Sequence, residues 1–307
     1  MLQAFFSTIY HVFLPISLPV IGGMLLKRYR GLDTKAISTL SLYVLSPALI
    51  FDTLTKAQLS FDDVYKTVAF SVLNLLLLWG IASILGRVLK LPPAERAGLT
   101  MVSTFTNSVN YGLPLVLLAF GQLGLEKASV YVIGQIFIVN TIGVYFAARS
   151  HFSVRQAMKS ILTLPSIYAA ALAVIVRSLH IGIPEGLDKG IMMLSTAYAP
   201  VVLTVLGAQM VNSRSAAWKP GLQKALWTGI SIRLLLSPLL ALLVLAILNI
   251  DGTLFSVLFI LASMPAAVNA FMLAEQFDAS PQFVARCILW TTLASFLVLP
   301  FVIALIQ

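Results

Sequence analysis

Apolar residues run along this chain in long blocks instead of alternating with polar ones. Between ionised residues lie ten such stretches, at 5–26, 36–51, 67–86, 97–125, 128–148, 160–176, 190–213, 225–250 (interrupted only by Arg233), 252–274 and 287–307. A bilayer core of ~30 Å takes about 20 apolar residues as a helix, so each block can cross once its flanks are added. Blocks that are apolar all round do not fit half-buried strands, and the dominance of Leu, Ala and Met favours helix. Backbone in lipid must satisfy its own hydrogen bonds. The pattern therefore predicts an all-α membrane protein with ten transmembrane helices. Composition agrees: of 307 residues, 59% are apolar and only 10% charged, against roughly 25% charged in a soluble domain. That excludes a soluble globular protein, a disordered chain and a nucleic-acid module. No basic residue precedes the first block, the earliest being Lys27, so the start reads as a retained helix instead of a signal peptide.

Charge then orients the blocks. Lys27, Arg28, Arg30 and Lys35 follow the first, Arg87, Lys90 and Arg96 the third, and Arg149, Arg155 and Lys159 the fifth. Arg214, Lys219 and Lys224 follow the seventh, and Arg286 the ninth. The opposite loops hold only Lys56, Lys66, Lys127, Arg177 and Lys189, together with most of the acidic residues. The positive-inside rule places the basic loops in the cytoplasm and both termini outside a cell membrane. The net charge of +9 is thus a matter of membrane orientation and not of nucleic-acid binding.

The two halves resemble each other. Leu32–Ser41 precedes Pro47 in the second block, and Leu187–Ser195 precedes Pro200 in the seventh; Val109-Asn110 in the fourth block has its counterpart in Val268-Asn269 in the ninth. Five spans is an odd number, so a repeat of 1–150 in 151–307 must enter the membrane inverted. Inverted repeats are typical of secondary transporters, whose sites lie where helices are interrupted by Gly or Pro at matching places. Gly112 and Pro114 interrupt the fourth block and Pro265 the ninth, and both are expected to break and cross there.

Candidate binding groups cluster around these breaks. Asn107 and Asn110 are three residues apart and would share a helix face. With Ser108 and Asn269 they offer neutral amides and hydroxyls to a carboxylate or a polar group; Gln135 on the fifth block either joins them or faces a neighbouring helix. Asn74 and Asn140 lie away from the breaks and fit interhelical hydrogen bonds. Arg233 lies mid-block, where a charge costs roughly 2.5–3.5 kcal/mol. It is either an anion-attracting group or an arginine satisfied by backbone carbonyls. Glu275 ends the ninth block and is either a proton-carrying group or a solvated helix end. His11, His151 and His180 are scattered and the one cysteine is Cys287, so no metal site, disulfide framework or cofactor is expected. No nucleophile–base pair within one membrane layer supports an enzyme, and no attached domain supports a sensor.

The stretch T-N-S-V-N-Y-G-L-P-L-V (106–116), with S-M-P-A-A-V-N-A-F-M-L-A-E-Q-F (263–277), resembles the auxin efflux carrier family, as does L-Y-V-L-S-P-A-L-I-F (42–51). The resemblance covers the whole chain. It implies two inverted five-helix repeats with crossing fourth and ninth helices. It also implies a scaffold of the first, second, sixth and seventh helices that forms a homodimer, and a transport domain that moves like an elevator. Asn107 matches the family's anion-contacting asparagine, and Pro114 and Pro265 match its crossing prolines. Ala270 stands where plant members have a further proline. The implied activity is transport of a small organic anion. A sodium-coupled symporter of the bile-acid type is the alternative.

Overall fold

The structure, a computed structural model, describes residues 2–57, 60–143, 145–146, 162–212 and 222–306. The basic positions Arg149, Arg155, Lys159, Arg214 and Lys219, and His151, lie outside the described residues, as does the side chain of Asn140. The described chain is helical: α1 (Phe5–Arg30), α2 (Thr34–Lys56), α3 (Phe61–Val88), α4 (Pro93–Thr104), α5 (Ser108–Ile138), α6 (Pro165–Ser178), α7 (Glu185–Val211), α8 (Gln223–Ile247), α9 (Gly252–Ser263), α10 (Val268–Gln276) and α11 (Pro281–Ile306). Seven of these, all but α4, α6, α9 and α10, are long and apolar enough to cross a membrane unaided. Local chemistry sets several ends. Asp33 caps α2 by accepting from the Lys35 amide. Ser60 and Asp63 form a reciprocal capping box on α3, and α1 stops at Gly31 in the left-handed region (φ 66°).

Pro114 does not break its helix where the sequence suggests. Four π-turns, Ile9–Phe13, Ser41–Leu45, Ser108–Gly112 and Ile232–Leu236, each end two residues before a proline: Pro15, Pro47, Pro114 and Pro238. In each, the residue just ahead of the proline donates five residues back, as Leu113 does to Ser108. A proline inside a helix lacks an amide and crowds the carbonyl four residues behind it. The extra residue of a π-turn lets the helix run on through Pro114. The expected break at Gly112 and Pro114 is therefore corrected.

The fourth block instead leaves helix at Phe105 (φ −99°, ψ 120°), Thr106 and Asn107 (φ −76°, ψ 51°). In the ninth block the break spans Met264 (φ −59°, ψ 150°) to Ala267 (φ −70°, ψ 138°). Met264 precedes Pro265 and is sterically pushed to extended angles. The fourth block has no proline at its break, but it is rich there in Ser, Thr and Asn, residue types that weaken helix by offering local side-chain bonds to the backbone, as Thr104 Oγ1 donates to the Thr100 carbonyl and Ser108 Oγ to that of Thr106. The two breaks pair with each other. Asn107 N–H donates to the Pro265 carbonyl at 2.8 Å, and Ala267 N–H donates to the Phe105 carbonyl at 2.9 Å. Thr106 and Ala266 thus form an antiparallel bridge, the only one among the described residues.

A second correction concerns the turn after the fourth block. At 1.5 Å per residue, the 31 residues of α5 reach about 46 Å, more than a bilayer core of ~30 Å. The helix is interrupted at Gly121 (φ 64°, ψ −159°), backbone angles open only to glycine. Glu126 and Lys127, the expected connection, lie inside its second half, where Lys127 pairs with Asp63 of α3 at 3.0 Å.

Packing places α1 against α7, α6 against α2, and α7 against α2. The first contact depends on glycine. A Cβ on Gly23 would lie 1.9 Å from the Thr204 carbonyl oxygen, and one on Gly207 1.9 Å from that of Val20. Small residues of this kind let membrane helices approach backbone to backbone.

Candidate functional site

The paired breaks border a cavity of about 270 Å³. Its walls come from the first turns of α5 and α10, from α2 and α7, and from Gln135 of α5 and Ser166 of α6. Four of the expected binding residues meet here: Ser108, Asn110, Gln135 and Asn269. Thr106, Ser38, Ser41, Ser46, Ser166, Tyr198 and Gln209 add further polar groups, and among the described residues no ionised side chain lines the space. The hydroxyls of Ser46 and Ser166 are 3.2 Å apart, joining α2 to α6 at the cavity wall.

Asn107 does not share a helix face with Asn110, because it precedes the helix and has non-helical angles. It is buried, 3% exposed, between the lining residues Thr106 and Ser108 without itself lining the space. Its carbonyl accepts from the amides of Tyr111 and Gly112, while its side-chain Nδ2 is buried without a hydrogen-bond partner. A buried amide donor left unpaired is costly, and this one lies next to the site. Gly112 has a packing role: a Cβ there would meet Leu261 Cδ2 at 2.7 Å, so the glycine lets α5 approach α9. Pro114 lines a different cavity, and Pro265 shapes the break without lining the space.

Arg233 resolves in favour of its quieter reading. It is fully buried and faces backbone instead of the cavity. Nη1 donates to the Ser103 carbonyl at 2.8 Å, and Nη2 donates to the Ala262 carbonyl and to Ser237 Oγ. Those two carbonyls end α4 and α9. A helix C-terminus carries about −0.5 elementary charge and an N-terminus about +0.5. One guanidinium therefore offsets the negative ends of both half-helices. The positive ends of α5 and α10 border the cavity, and neither has a side-chain cap. The first amides of such ends lack intrahelical partners.

Two further cavities lie along α2. One of about 660 Å³ is lined by Thr34, Lys35, Thr39, Glu275 and Gln282, and shares Ser38, Leu42, Gln209, Val268 and Met272 with the central space. Glu275 is thus a wall residue of this wide vestibule, away from the crossing. The other, about 360 Å³, lies at the opposite end of α2, between Leu49, Asp52, Lys56, Pro114, Ser195 and Thr196. Lys56 bridges Asp52 at 2.6 Å and Asp188 at 3.1 Å near it.

Sequence reasoning missed the α2 and α7 wall. A signal was present: Tyr198, Val202, Val205 and Gln209 recur at helical spacing and share one face. Their polarity is too sparse to stand out in an apolar block.

Residues 8–303 match the sequence model of a family described as membrane transport protein. The chain is 31% identical over 286 residues to an uncharacterized transporter of Methanothermobacter thermautotrophicus, covering 92% of this chain and 93% of that one. It is 27% identical over 273 residues to an uncharacterized transporter of Methanocaldococcus jannaschii, with 86% and 87% covered. Auxin efflux carrier component 8 of Arabidopsis thaliana is 26% identical over 155 residues, which cover 47% of this chain and 42% of the plant protein. With its apolar helices and a match over nearly its whole length, the chain belongs to the membrane transport protein family that includes the auxin efflux carriers, and is a multi-pass transporter, not an enzyme.

Proposed function

We propose that the protein moves a small organic anion across the cell membrane by an elevator mechanism, with the central cavity as its binding site. The observation that carries this reading is the electrostatic asymmetry of the crossing. Two uncapped helix N-termini border a cavity that has no ionised side chain among the described residues, while Arg233 offsets the two C-termini behind it. A carboxylate there would take up N-terminal amides and the positive helix ends without a fixed cation. The asparagine amides would orient it, Asn107 with its unpaired donor among them.

In this reading α4 with the first half of α5, and α9 with α10, are the broken fourth and ninth of ten spans arranged as two inverted five-helix repeats. The packing is consistent with that symmetry: α1 on α7 is the counterpart of α6 on α2. Those four helices are the scaffold and the site of homodimer contact, and the remainder is the moving transport domain. The wide vestibule contains Lys35, on the basic side of the charge pattern, so the site here is open to the cytoplasm with both termini outside. The sodium symporter reading draws no support from the lining, which contains no carboxylate among its residues to favour a hard cation.

Thermal-shift measurement on the purified protein, against matched mono- and dicarboxylates and their amides, tests the proposal. A carboxylate at 100 times its Kd stabilises by about 2.7 kcal/mol and its neutral amide does not. Stabilisation by amides and acids alike, or by sodium alone, contradicts it.

A further inference from the structure

We infer that Tyr198 is the gate that separates the binding cavity from the far side of the membrane, an inference that rests on the transport reading above. The wide vestibule and the central cavity share five residues and run into each other. The central cavity and the small cavity at the Asp52–Lys56 end share one residue, Tyr198. The three spaces follow one another along α2, from Thr34 and Lys35, through Ser41 and Ser46, to Leu49 and Asp52. They follow α7 in the reverse direction, from Gln209, through Val205 and Val202, to Ser195 and Met192. The Tyr198 side chain thus borders both the central cavity of about 270 Å³ and the small one of about 360 Å³, at the one lining residue they share.

Its position is held by a specific bond. The Tyr198 ring is buried, 2% exposed, and its hydroxyl donates to the Val109 carbonyl at 3.1 Å. That carbonyl is open to it because of Pro114. Within the π-turn Gly112 N–H bonds Asn107 and Leu113 N–H bonds Ser108. The next donor in that register, for Val109, would be residue 114, a proline without an N–H. The Tyr198 hydroxyl takes the place of the missing amide. The bond ties α7, in the proposed scaffold, to the first turn of α5, in the proposed moving part. It must break for the site to pass Tyr198. Pro114 thus has a role apart from the helix break: it frees the acceptor that latches the gate.

The test uses the full chain with Cys287→Ala, which removes the native cysteine, and a single reporter, Asn110→Cys in the central cavity or Thr196→Cys in the small one. Sealed vesicles of both orientations are treated with a membrane-impermeant methanethiosulfonate. The two reporters should react from opposite faces. Adding Tyr198→Phe, which removes one oxygen, should speed reaction of the Asn110→Cys reporter from the Thr196 face by about threefold to tenfold, the worth of one neutral hydrogen bond. Adding Tyr198→Ala should speed it further. Equal reaction of the Asn110→Cys reporter from both faces with Tyr198 intact overturns the gate, as does a rate from the Thr196 face that neither variant raises. An Asn110→Cys reporter that reacts from neither face overturns the transport path itself, and the gate with it.

Discussion

Asn107 N–H donates to the Pro265 carbonyl at 2.8 Å, across 158 positions of sequence. This bond, with its partner from Ala267 to Phe105, fixes where the two broken helices cross. Pro265 holds its own break through Met264, while the opposite break is held by the pairing. Pro265→Ala should let helix propagate from α9 into α10 and withdraw that partner. The expected outcome is a loss of transport of more than about tenfold, with stability changed by less than about 2 kcal/mol, since helix gained is offset by an orphaned Asn107 amide. Pro114→Ala should leave the crossing in place and act on the Tyr198 latch. Uptake and melting temperature measured on both variants check this. Equal loss of transport in both would place Pro114 at the break after all.

Arg233 holds three buried acceptors at once: Ser103 O, Ala262 O and Ser237 Oγ. Arg233→Met leaves neutral buried acceptors unpaired, each at about 1–3 kcal/mol, and should destabilise the protein on that scale. Arg233→Lys keeps the charge but not the fork that reaches both helix ends, and should cost less. Thermal unfolding in detergent ranks the three proteins. A methionine variant as stable as the parent would show that the guanidinium does not hold the crossing.

Asn107→Ala removes an amide whose Nδ2 has no partner among the described residues. Stability should therefore stay within about 1 kcal/mol of the parent, whereas carboxylate affinity should fall about tenfold, the scale of one hydrogen bond to a charged group. The informative result is the split between the two. A large loss of stability with unchanged affinity would make Asn107 a packing residue only.

Gly22 and Gly23 are neighbours on α1 with different surroundings. A Cβ on Gly22 meets nothing within 4 Å, while one on Gly23 would sit 1.9 Å from the Thr204 carbonyl. Gly22→Ala should be neutral or stabilise by up to about 1 kcal/mol through helix propensity. Gly23→Ala must push α1 away from α7 and should destabilise by well over about 1 kcal/mol, the low end of overpacking costs. Paired melting curves decide it, and a Gly23→Ala protein as stable as Gly22→Ala would mean that α1 and α7 do not pack as described.

What the sequence determined by itself follows from short-range physics. Uncharged blocks of bilayer length dictate helix wherever they are read. Basic loops alternate because charge is costly to move across lipid, and the polar cluster at 103–111 announces a place where helix is weak. Asn110 and Asn269 could be named together because a repeat and a break both pointed to them, and Ser108 because it lies beside the same break; Gln135 could be named only as a polar group in the next block. Tertiary structure decided the rest, and in each case the reason is a partner distant in sequence. The fourth block breaks at Phe105–Asn107 and not at Pro114. A π-turn absorbs the proline locally, and the strand-like pairing with Met264–Ala267 makes extended backbone favourable seven residues earlier. Arg233 is bonded to backbone carbonyls because two helix ends from different parts of the chain converge on it. Tyr198 gains its position from a carbonyl that Pro114 leaves free 89 positions away. None of these is written in local periodicity, since each depends on which carbonyls and amides the fold brings within hydrogen-bond reach.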